Sequence, residues 1–252
     1  MSAGVEVRRE GAVLVAAFAR PEKKNAITGA MYEALIEAFD TAGRDPDIGA
    51  LVLAGRGGVF TAGNDIADFL SFAASARDFA TLPAARFIAR LAEFEKPLLA
   101  AVDGLAVGVG TTLCFHCDLV YATPAARFHM PFVDLGLVPE AGSSLLVPQR
   151  FGRAKAAEVL MLAESFDGEA ALGLGLVNAL VPPEALLAHA TAKAAALAAK
   201  PRSALMTTRR LLRGDPAALK ARMAEEGAAF AAALASPEAR AAFMAFMAGA
   251  KR

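Results

Sequence analysis

The strongest constraint on the fold is an alternation of short apolar runs with segments whose apolar residues recur every four positions. Ala50-Leu51-Val52-Leu53-Ala54 and Pro97-Leu98-Leu99-Ala100-Ala101-Val102 carry no polar residue. A strand with one wet face alternates polar and apolar, so unbroken runs of this length read as strands buried on both faces. Met31, Leu35 and Phe39 recur between the apolar segment ending near Phe18 and the run at Ala50, and Phe87 and Leu91 recur before the run at Leu98. Four-residue spacing gathers these side chains on one face of a helix. A strand-helix-strand order implies parallel strands joined by right-handed crossovers. From Glu184 onward Ala, Leu, Lys and Arg dominate, and Pro201, Pro216 and Pro237 each stand where a helix starts or breaks. The reading is an α/β region followed by helices, with no Ser/Gly/Pro-rich linker between them. Phe243, Phe246 and Met247, at helical spacing, are expected in the core or at an interface.

At the start of the chain, Val5-Glu6-Val7 and Val13-Leu14-Val15 read as a strand pair turning at Glu10-Gly11. Arg8-Arg9 before the uncharged run from Gly11 to Ala19 superficially mimics a secretory leader, but Glu6 and Glu10 spoil its basic character and the run is short. The uncharged stretch from Gly104 to Phe115 is too short and glycine-rich to span a bilayer. Cys114-Phe115-His116-Cys117 has redox spacing, but a redox pair needs an exposed helix start, and Leu113 with Phe115 places this one in the core. Buried inert thiols are expected. Two cysteines form no disulfide framework, which favours a reducing cytoplasm, and with three histidines they advertise no metal site.

The 252 residues suffice for one large α/β domain or a core with a helical annex. Lys plus Arg and Asp plus Glu number 26 each, which removes the general reason to expect nucleic acid or an anionic membrane as partner. A nucleotide-containing small molecule remains compatible. The 56% hydrophobic content is raised by alanine, a helix former rather than a membrane residue.

Three segments point to chemistry. Glu140, in Leu135-Gly136-Leu137-Val138-Pro139-Glu140-Ala141-Gly142-Ser143-Ser144, is a carboxylate between an apolar turn and small residues that can open a helix. Pressed against Leu, Val and Pro it loses hydration, which raises its proton affinity into the range a neutral-pH base needs. The plainer alternative is a first-turn Glu complementing a helix dipole. Phe60-Thr61-Ala62-Gly63-Asn64-Asp65-Ile66 follows the strand at Ala50, where ligands of α/β proteins gather. Asp103-Gly104-Leu105-Ala106-Val107-Gly108-Val109-Gly110-Thr111-Thr112 follows the strand at Leu98 and leads into a helix. Glycine lets backbone approach a ligand, and N–H groups at a helix start favour negative charge. One N–H from each loop would make an oxyanion hole, although either loop alone is more often an ordinary turn.

Taken in order, the buried strand, Ala-Gly-x-Asp-Ile, Lys-Pro with a strand, Gly-x-Gly opening a helix, Cys-Asp-Leu-Val and Gly-Leu-x-Pro-Glu resemble the crotonase (enoyl-CoA hydratase/isomerase) superfamily. The resemblance runs from Arg20-Pro21-Glu22-Lys23-Lys24-Asn25-Ala26 to Ala204-Leu205-Met206-Thr207-Thr208-Arg209-Arg210. It implies a spiral of β-β-α turns over residues 1–200, carrying the site, and a C-terminal helical region over 201–252 at a trimer interface. It also implies an acyl-CoA thioester substrate, with CoA as part of the substrate and no separate cofactor or metal. A homotrimer or hexamer is expected, with no nucleic-acid or membrane partner.

Matched residue by residue, the resemblance makes the N–H groups of Asn64 and Val109 the oxyanion donors, beside Gly110. It puts Arg20, Lys24, Asn25 and Ala26 along the pantetheine and phosphates, and Ala62, Asp65 and Ile66 toward the adenine. For Arg20, Lys23 and Lys24 a solvated basic turn is the alternative. Phe69 to Phe79 falls where a substrate-facing lid is expected. The family often ends in a longer tail with further basic and aromatic residues, whereas this sequence stops at Lys251-Arg252, so cross-subunit CoA contacts from the tail are not expected.

The hydratase branch has glutamates at the positions of Thr112 and Phe132. Adding water calls for one group to activate it and another to manage a proton, so ordinary hydration is not expected here. Glu140 matches the acidic residue of the Δ3,Δ2-enoyl-CoA and dienoyl-CoA isomerase branches. The resemblance therefore implies an isomerase of 3-enoyl-CoA, with hydratase, thioester hydrolase, C–C lyase or a non-catalytic scaffold as alternatives. Asp134, the other acid close by, is expected to cap a turn or face solvent.

Overall fold

The computed structural model describes residues 4–67 and 79–249. Most of the expected lid, the Phe246 side chain and the final Lys251-Arg252 lie outside the described residues.

Strands β1 (Val5–Glu10) and β2 (Val13–Phe18) form the expected antiparallel pair, with Val7 opposite Ala16. Gly11 turns the chain at φ +59°, a conformation open to glycine without strain. The apolar runs become β3 (Ala50–Gly55) and β4 (Leu98–Val102). β5 (Leu105–Val107), β6 (Leu119–Ala122), β7 (Arg127–His129), β8 (Phe166–Asp167) and β9 (Ala179–Leu180) follow.

One sheet runs β1-β2-β3-β4-β6-β9 and is parallel from β2 onward; a second runs β5-β7-β8. Successive strands β4, β5, β6 and β7 step between the two sheets, so each turn of chain lays one strand in each. This is the spiral of strand-bearing turns that the resemblance implies. A parallel bridge between Thr61 and Ala106 draws the loop after β3 alongside β5.

Helix α1 (Gly29–Arg44) is capped by Thr28, whose hydroxyl accepts from the Met31 N–H at 3.3 Å. Its Met31, Leu35 and Phe39 are fully buried in the core with Phe87 and Leu91 of α2 (Pro83–Glu93). The short α3 (Val109–Thr112) precedes α4 (Ser143–Met161), α5 (Gly168–Gly173) and α6 (Pro183–Ala198). Leu186, Ala190 and Ala194 of α6 pack with Val13, Val15, Val52 and Leu99, a separate cluster from the one that α1 joins. Apolar contact with two clusters is why β2, β3 and β4 carry no polar residue inside the ladder.

The C-terminal helices are α7 (Arg202–Arg213), α8 (Pro216–Leu234) and α9 (Pro237–Gly249). Each begins at or just after one of the three prolines. Arg209 of α7 bonds the Asp118 carboxylate at 2.7 Å and the Phe94 and Glu95 carbonyls, while Asp118 accepts from the Leu98 N–H at the start of β4. Phe230 of α8 and Ala239 and Phe243 of α9 enter the larger core cluster. These two helices lie against the segment that carries Glu140: a Cβ on Gly136 would come within 2.8 Å of the Ala239 nitrogen, and one on Gly142 would meet Leu219.

Candidate active site

The two glycine-bearing loops lie side by side. Thr61 and Val107 are linked by a bond from the Val107 N–H to the Thr61 carbonyl at 3.0 Å, and the Thr61 N–H donates to Leu105. Gly63, at φ +83°, lies so close to the second loop that a Cβ would reach 2.7 Å from the Val107 carbonyl oxygen. Gly110 faces Thr61 in the same way, its Cβ position 2.5 Å from the Thr61 methyl. Thr61 pairs with Ala106, and Asn64 and Val109 each lie three residues further along their own loops. Among the described residues no acceptor takes the N–H of Asn64 or of Val109. Val109 opens α3, where the first N–H groups have no intrahelical partner.

Glu140 is buried, 8% exposed. Its Oε1 accepts a 2.5 Å hydrogen bond from the hydroxyl of Thr112, at the end of α3. Its Oε2 is buried with no hydrogen-bond partner in the structure. Burial pushes the Glu140 carboxyl up to about 7; the Thr112 bond, which favours the ionised form, opposes this, and the charge of Glu226 adds to it. The dipole-complement alternative does not describe this residue. α4 starts at Ser143 behind a Gly142 cap, which leaves Glu140 ahead of the first turn.

The turn that presents Glu140 is held from several sides. Ala141 at φ +58° and Gly142 at φ +72° both lie in the left-handed region, a strained choice for alanine. The Glu140 carbonyl accepts from the Ser143 N–H and hydroxyl. His116 Nε2 donates to the Ala141 carbonyl at 2.7 Å. Burial pushes the His116 imidazole down to about 4, so it is neutral at pH 7 and acts here only as a donor. The Glu226 carboxylate on α8 accepts from the Gly142 and Ser144 N–H groups at 2.6 and 2.8 Å.

Tyr32 of α1 completes the surroundings, its hydroxyl donating to the Asn64 side-chain oxygen at 2.5 Å. Burial, and then the charge of Glu140, raise its phenol well above the usual value, so it remains a neutral donor.

Of the other expected site residues, Arg20 pairs with Asp65 at 2.6 Å and also donates to the Ala26 carbonyl. Lys24 is exposed, and Ala26, Ala62 and Ile66 are half-buried. Asn25 is fully buried: its side chain accepts from the Arg20 N–H and donates to the Arg56 and Val59 carbonyls. It shapes the loop from inside and has no polar side-chain atom to offer a ligand. Phe132 is buried in the core cluster beside the turn at Val133–Leu135, and Asp134 in that turn is exposed. Cys114 and Cys117 are buried free thiols, both pushed up by burial, as inert core cysteines are. Among the described residues no His/Cys/Asp/Glu cluster suits a metal ion, and no helix is long and apolar enough to cross a membrane.

Sequence reading missed Tyr32, His116 and Glu226. Tyr32 lies on the apolar face that Met31 and Leu35 define, and Glu226 stands four residues before the buried Phe230 in an alanine-rich helix. A polar residue on a core-facing stripe was the available signal.

A two-sheet spiral that brings two glycine-bearing loops together and holds a buried carboxylate against α3 is the arrangement that the crotonase resemblance implies. Residues 8–248 match the enoyl-CoA hydratase/isomerase family model, and the chain belongs to that family. It is 35% identical to rat enoyl-CoA delta isomerase 2 over 84% of its own length, and spans 55% of that longer protein. It is 33% identical to the 2,3-dehydroadipyl-CoA hydratase of Escherichia coli, covering 87% of this chain and 86% of that one. Among solved structures, OdaA of Pseudomonas aeruginosa superposes with a TM-score of 0.92 at 44% identity, over 97% of this chain and 98% of that one.

Proposed function

We propose that this enzyme moves the double bond of a 3-enoyl-CoA into conjugation, giving a trans-2-enoyl-CoA, with Glu140 as the only proton carrier. The observation that carries the reading is a buried carboxylate tuned to about 7 and held by Thr112. A base of that proton affinity can both take and return a proton near neutral pH.

In the proposed cycle the Glu140 carboxylate removes a proton from C2, made acidic by the thioester. The C2–H electrons become the C1–C2 π bond, and the charge collects on the thioester oxygen as a dienolate. The N–H groups of Asn64 and Val109 hold that oxygen, each such donor contributing about 3 to 4 kcal/mol in the transition state. Glu140 then returns the proton to C4: the C3–C4 π electrons form the new C4–H bond, the C1–C2 π electrons become the C2–C3 double bond, the oxyanion electrons restore the thioester carbonyl, and the carboxylate is regenerated. The exposed Lys24 and the loop from Arg20 to Ala26 would lie along the CoA.

Hydration is the second reading, favoured by likeness to a hydratase over most of both chains. It lacks a second carboxylate: Thr112 and Phe132 occupy the two positions where resemblance to hydratases calls for glutamate. The test compares 3-hexenoyl-CoA isomerisation with crotonyl-CoA hydration in one preparation, for the parent and Glu140→Gln. Isomerisation should dominate and should fall at least about a hundredfold in the variant, with acyl-CoA affinity little changed. Brisk hydration by the parent, or full isomerisation by the variant, would reject the proposal.

A further inference from the structure

Glu226 is 5% exposed, on a helix 86 residues after Glu140, and its carboxylate reaches into the turn that presents Glu140. Each oxygen takes one backbone N–H, from Gly142 at 2.6 Å and from Ser144 at 2.8 Å. These are donors at a helix start, where α4 would otherwise leave them buried without partners. The bonds also hold the chain at and just after the left-handed pair Ala141 and Gly142. A helix start needs only a neutral acceptor such as Ser, Thr or Asn to be satisfied. A carboxylate satisfies both N–H groups at once and is favoured at a helix start by the dipole, and here it also stands behind another carboxylate.

We propose that Glu226 is a positioning residue for Glu140: it fixes the strained turn that aims the base and places a second negative charge behind it. This rests on the reading of Glu140 as the base. The groups nearest Glu140 and Glu226 come from several elements; Arg213 on α7 stands one residue further off, donating to the His116 carbonyl at 2.9 Å. Tyr32 on α1, Thr112 on α3 and His116 are all uncharged at pH 7. On α8, Arg222 donates to the Ser144 hydroxyl at 3.2 Å but is half-exposed and paired with Glu225 at 3.1 Å. Glu226 is therefore the buried charge that acts on Glu140 from behind, and it makes proton release from Glu140 harder. A base that holds its proton more firmly returns it to carbon less readily but takes it more strongly, and the balance falls near neutrality.

The experiment measures kcat and KM for 3-hexenoyl-CoA from pH 5.5 to 9 in the parent, Glu226→Gln, Glu226→Asp and Glu140→Gln. Glu226→Gln should move the midpoint of the kcat profile to lower pH, so that the ratio of kcat at pH 6 to kcat at pH 8 rises about two- to threefold, with KM nearly unchanged. A folded Glu226→Gln with the parent's ratio would overturn the proposal. Glu226→Asp keeps the charge but is too short to hold both N–H groups. It should leave the ratio near the parent's while lowering kcat about tenfold, and parental kcat in this variant would overturn the proposal even if Glu226→Gln fails to fold. Parental turnover in Glu140→Gln would defeat the isomerase reading. Loss of turnover there beside an unaltered Glu226→Gln profile would defeat the role of Glu226 alone.

Discussion

Thr112 illustrates how one hydroxyl would tune the proposed base. Its hydroxyl has a single proton, and two acceptors compete for it: Glu140 Oε1 at 2.5 Å and the Val109 carbonyl at 3.4 Å. The shorter bond to a charged acceptor takes it. That bond favours the ionised carboxylate and so opposes the upward push of burial. Thr112→Val keeps the shape and removes the donor, leaving Glu140 with a still higher proton affinity. With Glu140 as the proposed base, turnover would require its ionised form, and the rate of the parent should rise with pH through about 7. In the variant the rising limb should move to higher pH, with the largest loss of rate on its acid side. A profile unmoved by Thr112→Val would separate this hydroxyl from the chemistry. The same hydroxyl explains why threonine at this position is more than a missing glutamate.

At the scale of elements, the site depends on how closely two loops can pack. Gly110 faces the methyl of Thr61, and Thr61 cannot rotate away cheaply because its hydroxyl donates to the Asn25 carbonyl at 2.6 Å. Gly110→Val should therefore push the loops apart, destabilise the fold by roughly 1 to 3 kcal/mol and cut turnover by orders of magnitude. A thermal melt beside a rate assay checks both, and near-normal turnover would remove the Val109 N–H from the mechanism. β3 and β4 were legible because burial on both faces leaves an unbroken apolar run, and α1 because Met31, Leu35 and Phe39 share a face. β8 and β9 were not legible, since two residues carry no period. Glu140 and the two glycine loops could be read as local motifs. The partners of Glu140 could not: its bond to Thr112 spans 28 residues, and Glu226 reaches Gly142 across 84. Side chains that meet only after the spiral closes leave no mark on local spacing.

At the scale of the whole molecule, the helical end of the chain leaves apolar side chains without cover. Leu211 and Leu212, in the last turn of α7, are 68% and 82% exposed, and Met161 and Leu162, at the end of α4, are about as open. Fully covering a leucine side chain contributes about 1.5 to 3 kcal/mol, and a closed ring repeats each contact once per subunit. Exposed side chains of this kind suit an interface between copies, and the trimer or hexamer expected from the resemblance would supply one. Light scattering at micromolar concentration should accordingly return three or six times the 26.0 kDa subunit mass. Leu212→Glu places a charge in that contact and should lower the mass toward the single chain, while the site, built from α1, α3, α8 and the turn at Glu140, stays intact within each subunit. A monomeric parent would reject the assembly, and a Leu212→Glu variant of unchanged mass would move the interface away from the end of α7.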